Sequence, residues 1–440
     1  MLYNNIGFVI VLLLAISCNS KKINTGSYKG SVETSGYRAD TLPPPYATGS
    51  AKNFSQVIGW KDGEMPVAPV GFTVTKFAEG FDHPRWIYVA ENGDIFIAES
   101  NTILKGILKI GAKLSRKIKT QHIGESRNRI TLIRDADKNG IPEKRFTFKE
   151  DLNQPFGMLI IGNHFYIGNT DGLMMYNYAS GDTMLNGQGQ KIVSLPAGDH
   201  NRHWARNIIT NDKKDKIYIA VGSGSNIAEN GLANEIRRAA ILEVNIDGSG
   251  EKMIAHGLRN PVGMDWAAGT NTLWTAVNER DELGDELVPD YLTSVKAGGF
   301  YGWPFFYYGQ HKDPRLANKQ SPDPIETVIV PDVPLGSHTA SLGLLFYRSN
   351  KFPARYRNGA FITQHGSWNR SVISGYKVIF IPFENGKPSG PPEDFLTGFV
   401  ADLAASKVHG RPVGIAVLAD GSMLISDDTS NTIWRIRANN

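Results

Sequence analysis

A single cysteine, Cys18, stands in 440 residues. That scarcity excludes an intrachain disulfide, a C-x-x-C-H haem attachment and any cysteine-built zinc site. Long hydrophobic runs are also missing. The apolar stretch Ile6–Ile16 has eleven residues, about half of the ~20 that cross a bilayer as a helix. Charge of one sign is not in excess: 47 Lys and Arg face 43 Asp and Glu, a formal balance of +4, which gives no case for nucleic-acid binding. Helical periodicity of ten or more residues between the β-rich segments is absent, which argues against a βαβ fold. What the chain has instead is 46 glycines, 23 prolines and 10% aromatic residues, the make-up of an all-β protein rich in turns.

The eleven-residue run has the length of a signal-peptide core, and its end leads into Leu14-Ala15-Ile16-Ser17-Cys18. This resembles a bacterial lipoprotein signal, in which the cysteine receives the lipid. The expected division is a signal over 1–18, a flexible polar tether rich in Gly, Ser and Pro over 19–65, and one domain over 66–440. The expected location is the periplasmic side of a bacterial membrane, with the lipid on Cys18 as anchor.

Within 66–440 a turn signal followed by a β-rich run occurs six times. The runs are "NGDIFIAES" from Asn92, "GNHFYIGNT" from Gly162, "KDKIYIAVGS" from Lys214, "TNTLWTAVNE" from Thr270, "RNGAFITQHG" from Arg357 and "DGSMLISDD" from Asp420. Their spacing of roughly 50 to 90 residues suits four-stranded propeller blades of ~40 to 50 residues with inserted loops. The expectation is an all-β, six-bladed β-propeller with four-stranded antiparallel blades around a central channel.

Shortly before each run stands a second pattern. Four examples carry proline: "DHPRWI" at Asp82, "NQPFGM" at Asn153, "RNPVGM" at Arg259 and "GRPVGI" at Gly410; "HWARNI" at His203 and "HTASLGL" at His338 lack it. Proline fixes φ where the chain enters a strand, and glycine lets backbones crowd together at an axis. The residues in front are polar: Asp82 and His83, Asn153 and Gln154, His203, Arg259 and Asn260, His338, Arg411. In a propeller they ring one mouth of the channel, where ligands commonly bind. Arginines, histidines and amides together suit an anionic, oxygen-rich ligand, whereas calcium-dependent lactone hydrolysis would call for carboxylates and amides around a metal.

Further on, "NERDELGDE" places Asp281, Glu282, Asp285 and Glu286 on a loop after a strand, a setting for a hard cation or for a solvated acidic turn. "DADKNGIPE" from Asp135 imitates the first half of an EF-hand loop but puts Phe146 where the bidentate glutamate belongs, so it reads as a connecting turn. Ile103–Lys119 carries six basic residues and no acid, and reads as a solvated hairpin.

The ordered set "RDADKNG", "LNQPFGM", "HWARN", "GLRNPVGM", "NERDELGD", "GGFYGWP", "HGSWNR" and "GRPVGIAV" resembles the sorbosone dehydrogenase group of quinoproteins, relatives of the soluble aldose dehydrogenases. The resemblance implies a six-bladed propeller, pyrroloquinoline quinone (PQQ) and Ca2+. It implies that His203 is the catalytic base, with His200 as competitor. Arg259 would act on the reacting quinone oxygens, with Asn260 beside it. Asn153, Gln154, Asn369, Arg370 and Arg411 would hold the cofactor. Calcium would sit on main-chain oxygens of Arg280 and Asp281, with Asp285 and Glu286 at a neighbouring structural calcium. The implied substrate is a sugar, a sugar aldehyde or a polyol, and the implied electron acceptor is external. A non-redox carbohydrate- or protein-binding propeller and a calcium-dependent lactonase stand as alternatives.

Overall fold

The computed structural model describes residues 42–104, 117–121, 123–137 and 139–439. The lipidation expected at Cys18, and most of the basic stretch 103–119, lie outside them. The fold is all-β, with short 3-10 turns as its only helical elements among the described residues.

The six β-rich runs become the strands Ile95–Glu99, His164–Asn169, Lys216–Val221, Leu273–Val277, Gly359–Gln364 and Met423–Asp427. Four of them, starting at Ile95, Leu273, Gly359 and Met423, are buried at every position. That explains why their sequences are continuously apolar rather than alternating: both faces pack against neighbouring sheets. Each run is the second strand of a four-stranded antiparallel unit. The first strands are Pro84–Val89, Met158–Ile161, Ile208–Thr210, Pro261–Trp266, Ser341–Phe346 and Pro412–Val417. Pro84, Pro261 and Pro412 open theirs, where the missing N–H removes no ladder bond.

First strands of successive sheets lie side by side, and Pro412–Val417 lies beside Pro84–Val89. The glycines of the repeated pattern permit this approach. A Cβ on Gly263 would stand 2.5 Å from Leu344 N, and one on Gly414 would stand 2.5 Å from Arg85 O. The last sheet takes its outer strand, Phe72–Glu79, from the other end of the sequence, paired with Thr432–Ala438. The result is a propeller-like arrangement of four-stranded sheets. Aromatic rings fill the seams between them: Phe96, Phe148 and Phe165 meet with centroids 4.6, 4.9 and 5.0 Å apart, each pair adding about 0.5–1.5 kcal/mol beyond its area burial.

Residues 42–65 differ from the flexible tether expected of their composition. Tyr46 N donates to Leu283 O (2.8 Å) and Asn53 N to Trp368 O (2.8 Å). Phe54 stacks on Trp368 at 5.7 Å, and Trp60 stacks on His409 at 4.6 Å while donating to Asp427 Oδ2 (3.0 Å). These residues form a strap across the loops that follow the second strands of the fourth and fifth sheets. Its partners lie more than 200 residues away in sequence, which local composition does not encode.

Candidate active site

Strand register defines the site. Pro84 pairs with Glu99, Pro261 with Val277, Ser341 with Gln364 and Pro412 with Asp427. The start of each of these first strands and the end of its second strand therefore share one edge. Contacts run round that edge. Gln154 Nε2 donates to Asn101 O (2.8 Å), and Asn201 Nδ2 donates to Thr170 Oγ1 (2.8 Å). Arg85 lies 5.3 Å from the Trp204 ring, and Arg202 lies 5.9 Å from that of Trp368. Arg411 Nε donates to His365 O (2.9 Å). The six strand openings are thus joined around one mouth.

His203 is half-buried at this mouth. Its Nδ1 lies 2.9 Å from both the carbonyl and the hydroxyl oxygen of Ser223. A carbonyl can only accept, so Nδ1 carries the proton and Nε2 is the unprotonated nitrogen of the neutral ring. Burial, with the positive charges of Arg259 and Arg202, holds the His203 pKa well below the ordinary imidazole value. Among the described residues no hydrogen bond occupies Nε2. The ring is neutral at neutral pH, with Nε2 able to accept a proton. His200 is exposed.

Beside it, Asp281 gathers charge. Its Oδ2 lies 3.2 Å from both Arg202 and Arg259, and its Oδ1 lies 3.4 Å from His338 Nδ1. Burial alone would raise the Asp281 pKa, but His338, Arg259 and Arg202 hold it well below the carboxylate range. In turn, Asp281 overrides the effect of burial on His338 and raises its pKa. His338 Nε2 donates to Gly284 O (2.8 Å).

A second buried cluster closes the mouth between the fifth, sixth and first sheets. Asp428 pairs with Arg85 and lies 3.0 Å from His365 Nε2. Burial, then the charge of Arg411, lowers the His365 pKa to about 3.

Several expected roles change in three dimensions. All three guanidinium nitrogens of Arg259 have protein partners: Asn226, Asn278, Glu279 O and Asp281. It is a fixed buried charge rather than a free donor. Arg280 lies behind the mouth, fully buried, donating to Pro304 O (2.7 Å) and Phe306 O (2.6 Å). Arg370 donates to Glu286 Oε1 (2.5 Å), and Ser371 N donates to Asp285 Oδ1 (3.0 Å). Asp281 O already accepts from Asn226 Nδ2 (3.2 Å) and Arg315 (2.8 Å). Of the two main-chain oxygens expected to bind calcium, that of Asp281 is thus occupied by N–H donors. Asp281 O, Asp285 Oδ1 and Glu286 Oε1 each already accept an N–H, and a calcium ion bound there would have to displace these donors. Among the described residues the carboxylates that do converge, within 4.8 Å, are Asp135, Asp137 and Glu143, in the EF-hand-like turn.

Asn153 is exposed, while Arg411 is buried with Nε and a terminal nitrogen on His365 O and Gly366 O. Asn369, expected to hold the cofactor, ties the strap down instead: its Oδ1 accepts from Glu282 N (2.7 Å) and its Nδ2 donates to Ala51 O (2.7 Å). Asn369→Ala is expected to destabilise the cofactor-free protein by about 1–3 kcal/mol, the cost of leaving buried partners unsatisfied. Urea denaturation without cofactor checks this, since a residue used only for the cofactor would leave the midpoint unchanged.

The excess of arginines over aspartates at the mouth suits an anionic ligand. Four arginines, Arg85, Arg202, Arg259 and Arg411, face two buried aspartates, Asp281 and Asp428. Asn169 Oδ1, Asn260 Oδ1, Arg85 Nε and Thr429 Oγ1 are buried without a partner. Such atoms are rare in native proteins unless something else satisfies them.

The TrAA12-like family model matches residues 66–290 and 317–439. The chain belongs to the TrAA12-like family. An uncharacterized protein of Borreliella burgdorferi is 28% identical over 380 residues, covering 84% of this chain and 89% of that one. A pyrroloquinoline quinone-dependent pyranose dehydrogenase of Coprinopsis cinerea is 29% identical over 126 residues, 25% of this chain and 16% of that protein. The solved holo form of the Coprinopsis cinerea pyranose dehydrogenase PQQ domain superposes with a TM-score of 0.67 at 18% identity, covering 87% of this chain and 100% of that one. At that identity the likeness establishes a shared fold. Membership of the TrAA12-like family bears out the resemblance to quinoprotein sugar dehydrogenases drawn from the motifs.

Proposed function

We propose that this TrAA12-like protein is a PQQ-dependent dehydrogenase of a sugar, sugar aldehyde or polyol, built as a closed six-bladed propeller and held by a lipid on Cys18 at the periplasmic side of a bacterial membrane. The observation that carries the catalytic reading is His203, a neutral imidazole whose Nδ1–H is bonded to Ser223 and whose Nε2 is free beside a cluster of arginines. The pyranose dehydrogenase relatives support the choice of cofactor and substrate class.

When bound, the quinone supplies the acceptor for hydride. The rest is done by the chain. His203 Nε2 takes the proton of the substrate hydroxyl, a contribution of ~10²- to 10⁴-fold for a positioned base. Ser223 holds the ring in the tautomer that leaves Nε2 open. Arg259 and Arg202 supply positive charge where negative charge grows on the acceptor. Asp281 orders those arginines and keeps His338 in place. The buried pairs Arg85–Asp428 and His365–Asp428 fix the opposite rim.

The test is reconstitution. The purified protein is expected to bind PQQ with a micromolar or smaller Kd, followed by absorbance, and added sugar is expected to bleach the oxidised quinone. Absence of saturable binding overturns the assignment. Binding without reduction by any of a panel of aldoses, ketoaldehydes and polyols favours a non-redox carbohydrate-binding propeller.

A further inference from the structure

Behind His203 the hydrogen bonds continue to a buried carboxylate. Residues 222–239 leave the mouth after Val221 and return at Ala240, its partner in the sheet. Glu235 closes a short 3-10 turn in this loop and is 8% exposed. Its Oε2 accepts from Gly224 N (2.7 Å) and its Oε1 from Ser225 Oγ (2.5 Å). Gly224 N belongs to the same peptide group as Ser223 O, which accepts His203 Nδ1–H (2.9 Å) and the His203 main-chain N–H (3.4 Å). One planar amide therefore stands between the carboxylate and the imidazole, its N–H on Glu235 and its C=O on His203.

The loop does not need an acid there. A carboxylate is costly to bury, and a glutamine could serve both neighbours, accepting from Gly224 N and donating to Ser225 Oγ. An ion pair does not account for it either. Arg238, the cation that acts on Glu235, sends its terminal nitrogens to Asn201 Oδ1 (2.7 Å) and Ala197 O (3.2 Å), and the other charge that Glu235 faces, Glu229, repels it. The charge does have a consequence for His203. Hydrogen bonds in series polarise one another, and an N–H held by a carboxylate is a charge-assisted bond. Electron density is drawn to Ser223 O, which becomes the better acceptor for Nδ1–H. The ring's other charged neighbours are Arg259 and Arg202, which oppose a positive imidazole, and Asp281, which favours one.

We infer that Glu235 is a positioning residue for the base: through the Ser223–Gly224 peptide it holds the proton on His203 Nδ1 and stabilises the imidazolium that forms when Nε2 takes a proton. Its effect on turnover rests on the dehydrogenase reading. Its effect on the ring does not.

The test compares wild type, Glu235→Gln and Ser225→Ala in the cofactor-free protein labelled with 15N-histidine, the His203 signals being those lost in His203→Ala. Burial raises the Glu235 pKa, so spectra are taken at about pH 8, where a carboxylate is ionised. In Glu235→Gln the Nδ1–H resonance is expected to move upfield and to exchange with water about ten-fold faster, as a charge-assisted bond in the series is lost. Ser225→Ala leaves the carboxylate on Gly224 N and is expected to change both less. In the PQQ-loaded enzyme Glu235→Gln is expected to lower kcat about ten-fold, the scale of other outer partners of a working histidine, while the KM for sugar and the Kd for PQQ hold. An unchanged Nδ1–H signal, a Ser225→Ala effect as large as that of Glu235→Gln, or PQQ binding that weakens along with kcat overturns the inference. So does loss of the native circular dichroism in Glu235→Gln, which would assign the acid to the fold. If no sugar reduces the loaded wild type, the dehydrogenase reading fails, while the spectra still decide whether Glu235 acts on the ring.

Discussion

His203→Ala is expected to lower kcat by ~10²- to 10⁴-fold, the range for loss of a positioned general base, while the protein still binds PQQ. Among the described residues only Ser223 holds the ring through a side-chain bond, and Ser223 keeps its own bond to Ser225 O (2.7 Å) when the imidazole is gone. The arginines that attract the anionic cofactor are anchored elsewhere, on Asn226, Asn278 and Asp281. A loss of cofactor binding equal to the loss of turnover would assign His203 a structural role. The pH profile is a second readout. Protonation inactivates a base, and burial with two neighbouring arginines lowers this pKa. The acid limb of kcat/KM should therefore fall below pH 6.5, the value of a free imidazole. An acid limb at or above 6.5 would point to a different base. Ser223→Ala keeps the carbonyl contact and should shift that limb less than it changes kcat.

Much of the architecture could be read from the sequence, because the forces that build it are local. The six runs quoted from Asn92 to Asp420 each contain the second strand of a sheet, and in four of the six segments before them the first strand begins at the proline or, in "HTASLGL", at Ser341. The other two, "NQPFGM" and "HWARNI", reach their strands only at their last residues, Met158 and Ile208. Gly263 and Gly414 stand where backbone meets backbone, as the pattern required. His203, Arg259 and His338 cluster around Asp281, while Arg411 rests on His365 O and Gly366 O.

What escaped is whatever depends on the second strands' far ends. Ser223, His365 and Asp428 close three of the quoted runs, "AVGS", "TQHG" and "ISDD", so the signal was present: each run ends in polar residues where the pairing register returns the chain to the mouth. The occupancy of Arg259 and Arg280 could not be read. Their acceptors are carbonyls of Glu279, Pro304 and Phe306, and main-chain groups leave no trace in residue identity. The strap over 42–60 was hidden for the same reason, since Leu283 O and Trp368 O hold it.

Asp428→Ala is expected to destabilise the cofactor-free protein by about 3–5 kcal/mol, the cost of removing one partner from a buried ion pair. Asp428 is fully buried and is the carboxylate that faces Arg85 and His365, with the charge of Arg411 close by. Without it, buried positive charge at the seam of the fifth, sixth and first sheets has lost its counter-ion, at the place where the ends of the chain close the fold. Asp428→Asn keeps the shape and removes the charge, so a similar loss in both variants assigns the effect to electrostatics. Asp82→Ala, an exposed acid on the same rim, should stay within about 0.5 kcal/mol. The pH dependence has a definite sign. His365 resists protonation down to about 3, whereas in the unfolded chain it protonates near 6.5. Stability must therefore fall as pH drops from about 6.5 toward 3. The Asp428 pKa is held below its ordinary value by His365 and Arg85 against the opposing effect of burial, so its contribution is present above about pH 4 and fades as the pH falls further. Urea midpoints from pH 8 down to about 3 check both steps: stability that rises on acidification would contradict a buried neutral His365. An Asp428→Ala midpoint equal to wild type would mean that water, not Asp428, solvates these arginines.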